Sequence, residues 1–139
     1  MLINSRFMKQ TFLFFILGAF LLSIHSCNKP GTGGNATLVV FPQHNGNAIK
    51  NHAGYPDTVF LKFNVKELPG LHAGDYDTYF TGNKGEDHVN CTGLKAGQYY
   101  LFAVGYDSTI LSKVAGGMSY KLKYKDRKGE TNVNLAVIE

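Results

Sequence analysis

The chain has 139 residues, 44% of them hydrophobic, with 14 Lys and Arg against 10 Asp and Glu. This length allows one domain, and the formal charge of +4 falls to +2 once Arg6 and Lys9 of the N-terminal segment are set aside. So small a charge excludes a nucleic-acid-binding signature. Residues 27–139 would bury roughly two-thirds of their unfolded surface on folding, which is enough for stability without disulfides.

The N-terminal segment has the features of a signal peptide. Two cations, Arg6 and Lys9, precede an uncharged run over residues 11–24 (TFLFFILGAFLLSI). A run of this length is too short to cross a bilayer, which takes about 20 apolar residues, but it fits the apolar region of a signal peptide. We therefore expect residues 1–26 to be a cleaved lipoprotein signal peptide. A buried core helix is the alternative, although it would need polar positions at helical spacing, which this run lacks.

The sequence Ile24-His25-Ser26-Cys27 resembles a bacterial lipobox. The resemblance implies that the Cys27 thiol is diacylated with palmitate-type chains and that Cys27 becomes the new N-terminus. Two acyl chains hold a protein stably on a bilayer, whereas one holds it only marginally. Residues 27–35 would then be the lipidated cysteine and a flexible tether, because residues 28–35 (NKPGTGGN) are rich in Gly and turn formers. The alternative is an ordinary secretory signal with a cysteine nearby by chance.

Strand alternation, rather than helical periodicity, is typical of residues 36–139. Eight short segments alternate or are apolar throughout, and Gly, Pro, Asn and Asp separate them. The segments are 36–41, 59–65, 75–81, 88–91, 98–106, 109–114, 118–125 and 131–137. Evenly spaced short strands predict an all-β fold, namely a single antiparallel β-sandwich of seven to eight strands or a barrel.

The side chains of the core follow from the two-residue period of a strand. Residues 98–106 (QYYLFAVGY) are apolar on both faces, which indicates a central strand with Tyr99, Leu101 and Ala103 facing the core. Cys91 alternates with Val89 and should face the core as a small apolar residue. The remaining inward positions are Val59, Leu61, Phe63, Val65, Val133, Leu135 and Val137.

Three connections stand out between these segments. Residues 125–130 (KDRKGE) predict a polar hairpin turn, in which Gly129 supplies the unusual backbone angle. Residues 93–97 predict a turn that leads into the central strand. Residues 43–56 form a long connection, and connections of this length are often functional or disordered.

The motif Gly93-Leu94-Lys95-Ala96-Gly97-Gln98-Tyr99, followed by Leu101 and Ala103, resembles the carboxypeptidase-regulatory-like, or prealbumin-like, sandwich family. The resemblance implies a prealbumin-like or Ig-like sandwich in which Leu94 closes one end, Gly97 turns the chain and Tyr99 enters the core. The whole chain is also similar to small lipoproteins of Bacteroidetes-type bacteria, a likeness that implies no particular activity.

Candidate contact residues lie on loops and on the outer face of the central strand. Loops carry function on a rigid sandwich, so the loop tips at residues 44–55 and 71–75 are candidates. An exposed row of rings on the strand would favour a protein partner or a glycan. Alternatively, the loop of residues 43–56 covers this face, or the strand is buried on both sides. The predicted contact residues are His44, His52, Tyr55, His72, Tyr100, Phe102 and Tyr106.

Residues that could support catalysis or metal binding are sparse. His44, His52 and His72 could meet at a metal, but no pair has the spacing of a known ligand motif, so exposed loop histidines are the favoured interpretation. The chain has no nucleophile elbow, zinc-protease or phosphate-loop motif. The basic side chains of residues 121–127 could meet anionic lipid head groups or an acidic polysaccharide, or simply keep a strand edge soluble. We expect no catalytic residue, no cofactor and no metal.

These features predict a lipid-anchored, non-catalytic binding or scaffold module of the bacterial cell envelope, held at the outer membrane. Its expected partners are the membrane, through Cys27, and an envelope protein or glycan, but not nucleic acid. The first alternative is a carbohydrate-binding lipoprotein of a glycan-uptake system, which requires an aromatic cleft around Tyr100, Phe102 and Tyr106. The second is a metal-binding or enzymatic protein that uses the loop histidines.

Overall fold

Residues 29–139 are described by the computed structural model, and they form eight strands in two facing sheets. The strands are β1 (Thr32–His44), β2 (Asn47–Ala48), β3 (Thr58–Phe63), β4 (Thr78–Thr81), β5 (Val89–Leu94), β6 (Gly97–Asp107), β7 (Ser112–Leu122) and β8 (Lys128–Val137). Two short 3₁₀ helices span Ala73–Asp75 and Tyr124–Asp126. The predicted all-β sandwich is therefore confirmed, whereas the predicted signal peptide and Cys27 lie outside the described residues. Within residues 29–139, no helix combines the length and the apolar character needed to cross a membrane.

One sheet is built around β1, which pairs antiparallel with β5 and parallel with β8, while β2 extends the end of β1. The other sheet has the order β4-β3-β6-β7 and is antiparallel throughout. The parallel β1/β8 pair departs from the purely antiparallel prediction. A parallel pair needs a long crossover connection. The chain provides one here, because it passes through the other sheet between β1 and β8.

The core lies between the inward faces of the two sheets, as the alternation of the strands predicts. Tyr99, Leu101 and Ala103 of β6 are fully buried there, and so is Cys91 of β5. The inward positions of β3 and β8 join them, namely Val59, Leu61, Val133, Leu135 and Val137. Each fully buried aliphatic side chain of this kind contributes about 1.5–3 kcal/mol to folding.

Tyr99 ties the first strand to the turn before the central strand. Its hydroxyl donates to the Lys95 carbonyl at 2.5 Å and accepts from the Gly31 amide at 2.9 Å, so this buried polar group has partners on both sides. Gly97 is needed because a Cβ there would lie 2.8 Å from Cβ of Pro30. Leu94 is fully buried at the same end. The motif Gly93–Tyr99 thus resembles a tyrosine corner, in which the hydroxyl of a tyrosine near the start of a strand bonds to the backbone a few residues upstream.

Three local predictions are corrected by the structure. The segments 109–114 and 118–125 belong largely to one strand, β7. The predicted hairpin at residues 125–130 is instead a crossover, because β7 pairs with β6 in one sheet and β8 with β1 in the other. The first strand begins at Thr32 rather than at residue 36, so it includes part of the segment predicted to be a tether.

Candidate ligand-binding cleft

A cleft of about 400 Å³ opens on the outer face of the β4-β3-β6-β7 sheet. Its floor is formed by β3 and β6, where Phe60 and Phe102 are paired in register. Both rings point outward because their neighbours Leu61 and Leu101 point into the core. The lining residues are Gly54, Tyr55, Pro56, Thr58, Phe60, Leu71, His72, Ala73, Tyr76, Phe102, Val104, Gly105, Tyr106 and Lys113.

One wall of the cleft is Tyr76, which comes from the loop between β3 and β4. Its ring stacks on Phe102, with centroids 5.7 Å apart and planes 15° apart, and packs against Phe60 at 5.5 Å. Its hydroxyl donates to the Gly70 carbonyl at 2.8 Å, and burial raises the pKa of this phenol to about 12. The loop of residues 64–77 therefore covers Phe102, whereas the loop of residues 43–56 covers Tyr106 through Tyr55. The expectation that residues 75–81 are a strand is wrong for Tyr76, since β4 begins at Thr78.

The opposite wall is formed by Tyr55 and Tyr106, whose rings stack with centroids 5.3 Å apart. The His52 ring packs edge-on against Tyr106, with the two ring centroids 5.8 Å apart. Tyr55 is 57% exposed, so its outer ring face is open to the cleft and to solvent. Aromatic faces of this kind stack readily on flat or apolar ligand surfaces.

Asn51 holds the loop that carries Tyr55. Its side-chain amide donates to the carbonyls of Glu86 and His88 at 3.1 and 3.2 Å, and its side-chain oxygen accepts from the Asp57 amide at 2.7 Å. Asn51 is 3% exposed, so these hydrogen bonds are shielded from water. The predicted long connection of residues 43–56 is thus held by buried hydrogen bonds, and a hairpin turn at Asn45-Gly46 leads from β1 into β2.

Asp57 lies on the inner side of the strand end that floors the cleft. It is fully buried, and neither carboxylate oxygen has a hydrogen-bond partner among residues 29–139. Burial raises its pKa to about 6, while the Tyr106 backbone and the His52 ring act in the opposite direction. Gly105 makes room for this side chain, since a Cβ at that position would overlap the Asp57 carboxylate.

His44 corrects the expectation of exposed loop histidines. It is 8% exposed at the end of β1, and its Nδ1 lies 2.8 Å from Oδ2 of Asp107. The other carboxylate oxygen of Asp107 accepts from the amide and the hydroxyl of Thr109, and these bonds, together with His44, lower the pKa of Asp107. Among the residues that the structure describes, no group of three or more His, Cys, Asp and Glu side chains is arranged to hold a metal ion.

The predicted contact residues do not all meet at one place. Tyr55, His72, Phe102 and Tyr106 line the cleft. His52 lies behind Tyr106, and His44 lies in a separate depression of about 350 Å³ at the loop end. Tyr100 is also outside the cleft, because its ring packs over Gly117 of β7.

Sequence reasoning missed several lining residues, among them Phe60, Tyr76 and Lys113. Phe60 alternates outward beside inward Val59 and Leu61, so the period-two pattern contained the signal. No local sequence pattern indicated that Tyr76 or Lys113 would line the cleft, because a loop position and a strand end become neighbours only through the tertiary fold.

No family model, curated protein or solved structure matches this chain. The resemblance to the carboxypeptidase-regulatory-like family therefore stays a prediction. Leu94 and Tyr99 are fully buried, which is the burial that the resemblance implies for them.

Proposed function

We propose that this chain is a lipid-anchored, non-catalytic binding module of the bacterial cell envelope and that the aromatic cleft is its ligand site. The observation that carries the proposal is a cleft of about 400 Å³ bounded by two stacked ring pairs. Ligand sites are commonly clefts of this size, mostly apolar, with a few polar groups that orient the ligand. Here His72 and Lys113 supply such groups.

The walls of the cleft are held in place before any ligand arrives. Asn51 fixes the loop of Tyr55, and the hydroxyl of Tyr76 is bonded to the Gly70 carbonyl. A ligand that enters a pre-formed site loses less affinity to the ordering of side chains and loops. This rigidity supports a binding role for the cleft.

The side chains with catalytic potential have structural roles. Cys91 is fully buried and burial raises its pKa to about 12, whereas a nucleophilic cysteine must be a thiolate. The imidazole of His44 is buried against Asp107 and joins the ends of β1 and β6. These arrangements favour binding over catalysis.

A carbohydrate is the second, more specific candidate, and the exposed face of Tyr55 favours it. A sugar ring has an apolar face of C–H groups that can stack on a tyrosine, and its hydroxyls can pair with donors such as Lys113. The cleft differs from the predicted one, because Phe60 and Tyr76 replace Tyr100 in its lining.

A glycan array tests the carbohydrate candidate, with Tyr55→Ala as the cleft variant. Tyr124→Ala is the matched control, since Tyr124 is also 57% exposed but lies in the β7–β8 connection. Loss of one aromatic contact should weaken binding about tenfold for Tyr55→Ala, and the control should bind like the wild type. An array without any bound glycan would contradict the carbohydrate candidate, and equal losses in both variants would contradict the cleft.

Metabolic labelling with a fatty acid tests the anchor separately. The wild-type chain should be labelled, and Cys27→Ser should not be, because the acyl chains are proposed to be attached through that thiol. An unlabelled wild-type chain would contradict the anchor without bearing on the cleft.

A further inference from the structure

The end of the sandwich at which residue 29 enters is basic. A depression of about 430 Å³ there is lined by four cationic residues, Lys29, Lys95, Arg127 and Lys128, and none of the described residues that line it is acidic. No ion pair within residues 29–139 uses any of these four side chains. Residues 121–130 (KLKYKDRKGE) add three more lysines against two acids, so the surplus of positive charge extends beyond the depression.

The topology of the sheets brings these residues together from four separate parts of the chain. The start of β1, the β5–β6 connection, the β7–β8 connection and the start of β8 all lie at one end. Tyr99 fixes the geometry, because its hydroxyl joins the backbone at Gly31 to the backbone at Lys95. Arg127 is held over the ring of Tyr124 at 3.9 Å, while Lys29, Lys95 and Lys128 are exposed.

The proposed anchor would bring this basic end to a bilayer. Lys29 is the second residue after Cys27, and two residues of extended chain span at most about 7 Å. The Debye length at physiological ionic strength is about 8 Å, so charges this near a membrane are only partly screened. Clustered Lys and Arg beside a membrane attachment point are attracted to anionic lipid head groups.

We propose that the basic end, defined as Lys29, Lys95, Arg127 and Lys128, docks on the anionic surface of the bilayer that holds the anchor. The inference rests on the proposed lipid anchor for its choice of occupant, since a free phosphate or an acidic polysaccharide would share the same charge chemistry. Docking orients the sandwich, so that the loop end carrying Tyr55 points away from the membrane and the cleft stays accessible.

A single tryptophan can report this docking, because the chain contains none. The full chain with Tyr124→Trp, made in a Gram-negative host, is placed in vesicles that contain brominated lipid, either zwitterionic phosphatidylcholine alone or mixed with phosphatidylglycerol. Tyr55→Trp is the matched reporter at the loop end, with the same 57% exposure of the original side chain. For the Tyr124→Trp chain we expect stronger quenching of the indole fluorescence in the anionic vesicles and reversal by high salt. The Tyr55→Trp chain should show little change between the two vesicle types.

Charge removal then separates docking from simple tethering. In the Tyr124→Trp chain, Lys29→Gln, Lys95→Gln and Lys128→Gln together should abolish the difference between the two vesicle types, since each cation changes the docked-to-undocked ratio roughly fivefold. Lys50→Gln with Lys84→Gln, two exposed lysines of the loop end, is the control and should leave the difference unchanged. Equal quenching of the Tyr124→Trp chain in both vesicle types, or a triple variant that behaves like the control, would overturn the proposal.

Failure of this inference is distinguishable from failure of the proposed function. Fatty-acid labelling is measured first, because a chain without label lacks the anchor and overturns both proposals, whereas a labelled chain whose quenching does not depend on anionic lipid overturns docking alone. Labelling of Cys27 reports the anchor, and the effect of Tyr55→Ala reports the cleft.

Discussion

The two ends of the sandwich use charged groups in opposite ways. At the basic end, Lys29, Lys95 and Lys128 are exposed, and the Tyr99 hydroxyl joins the backbone at Gly31 to the backbone at Lys95. At the loop end, Asp57 and Asp107 are buried together with His44 and Asn51. Exposed charges act over a distance and are screened by salt, whereas buried ones cost desolvation energy, which short hydrogen bonds offset at Asp107 but not at Asp57. The basic end therefore presents its charges to solvent, whereas at the loop end the buried Asn51 holds the loop that borders the cleft.

The largest expected effect is at the loop end, for Asn51→Ala. The substitution leaves the Asp57 amide and two carbonyls without their buried partner, which should lower the free energy of unfolding by about 3–4 kcal/mol. Asn90→Ala, an exposed change on β5, should stay within about 0.5 kcal/mol of the wild type. Urea denaturation of both variants measures the difference. A small loss for Asn51→Ala would mean that the loop of Tyr55 is held by other contacts.

Asp57 should make the loop end sensitive to pH. Its pKa is about 6 in the folded chain and 3.8 as an ordinary carboxyl, so the unfolded state loses this proton first as the pH rises. The contribution of Asp57 to the free energy of unfolding therefore falls between about pH 4 and pH 7, by about 3 kcal/mol in total. Asp107 has the opposite sign, because its lowered pKa makes its contribution disappear as the pH falls.

The Asp57→Asn variant isolates this effect. The amide has nearly the same shape but cannot ionise, so the variant should gain stability relative to the wild type as the pH rises from 4 to 7. Denaturation midpoints across this range give the difference curve. A flat difference would contradict a buried, ionisable Asp57.

At the basic end, Tyr99→Phe should lower the free energy of unfolding by less than Asn51→Ala does. Removal of the hydroxyl leaves the buried Gly31 amide without its partner, and we expect a loss of about 2 kcal/mol. Tyr120→Phe is the matched control, because Tyr120 lies opposite Tyr99 in register and is only partly buried, so water can replace the contacts of its hydroxyl. Thermal denaturation of both variants checks the prediction. Equal losses of stability in the two variants would contradict a particular role for the Tyr99 hydroxyl.

The fold was largely predictable because its signals are local. Alternation placed Tyr99, Leu101 and Cys91 in the core, and all three are fully buried. Asn45-Gly46 is a strong local signal for a hairpin, and both residues have positive φ angles of 51° and 81°, but the interpretation of residues 43–56 as one loop passed over it. The prediction of a hairpin at residues 125–130 was wrong because the residues of a turn do not determine which sheet the next strand joins.

The candidate site was less predictable because it depends on contacts between distant parts of the chain. His44 and Asp107 are 63 residues apart, and no local pattern indicates that they form a buried pair. Tyr76 covers Phe102 only because its loop folds back over β3. The two-residue period of a strand predicts which face a ring lies on, but not whether another segment covers that face. The exposure of Phe102 therefore could not be predicted from the alternation alone.

The central claim is that the aromatic cleft is a pre-formed ligand site, and an NMR screen of small ring-containing fragments tests it without a known ligand. On the isotope-labelled full chain, amide shift changes should cluster at residues 54–60, 71–76 and 102–106, and Tyr55→Ala should weaken them. Fragments that bind only elsewhere, such as at residues 29–35 or 123–128, or shift changes that Tyr55→Ala leaves intact, would contradict the claim.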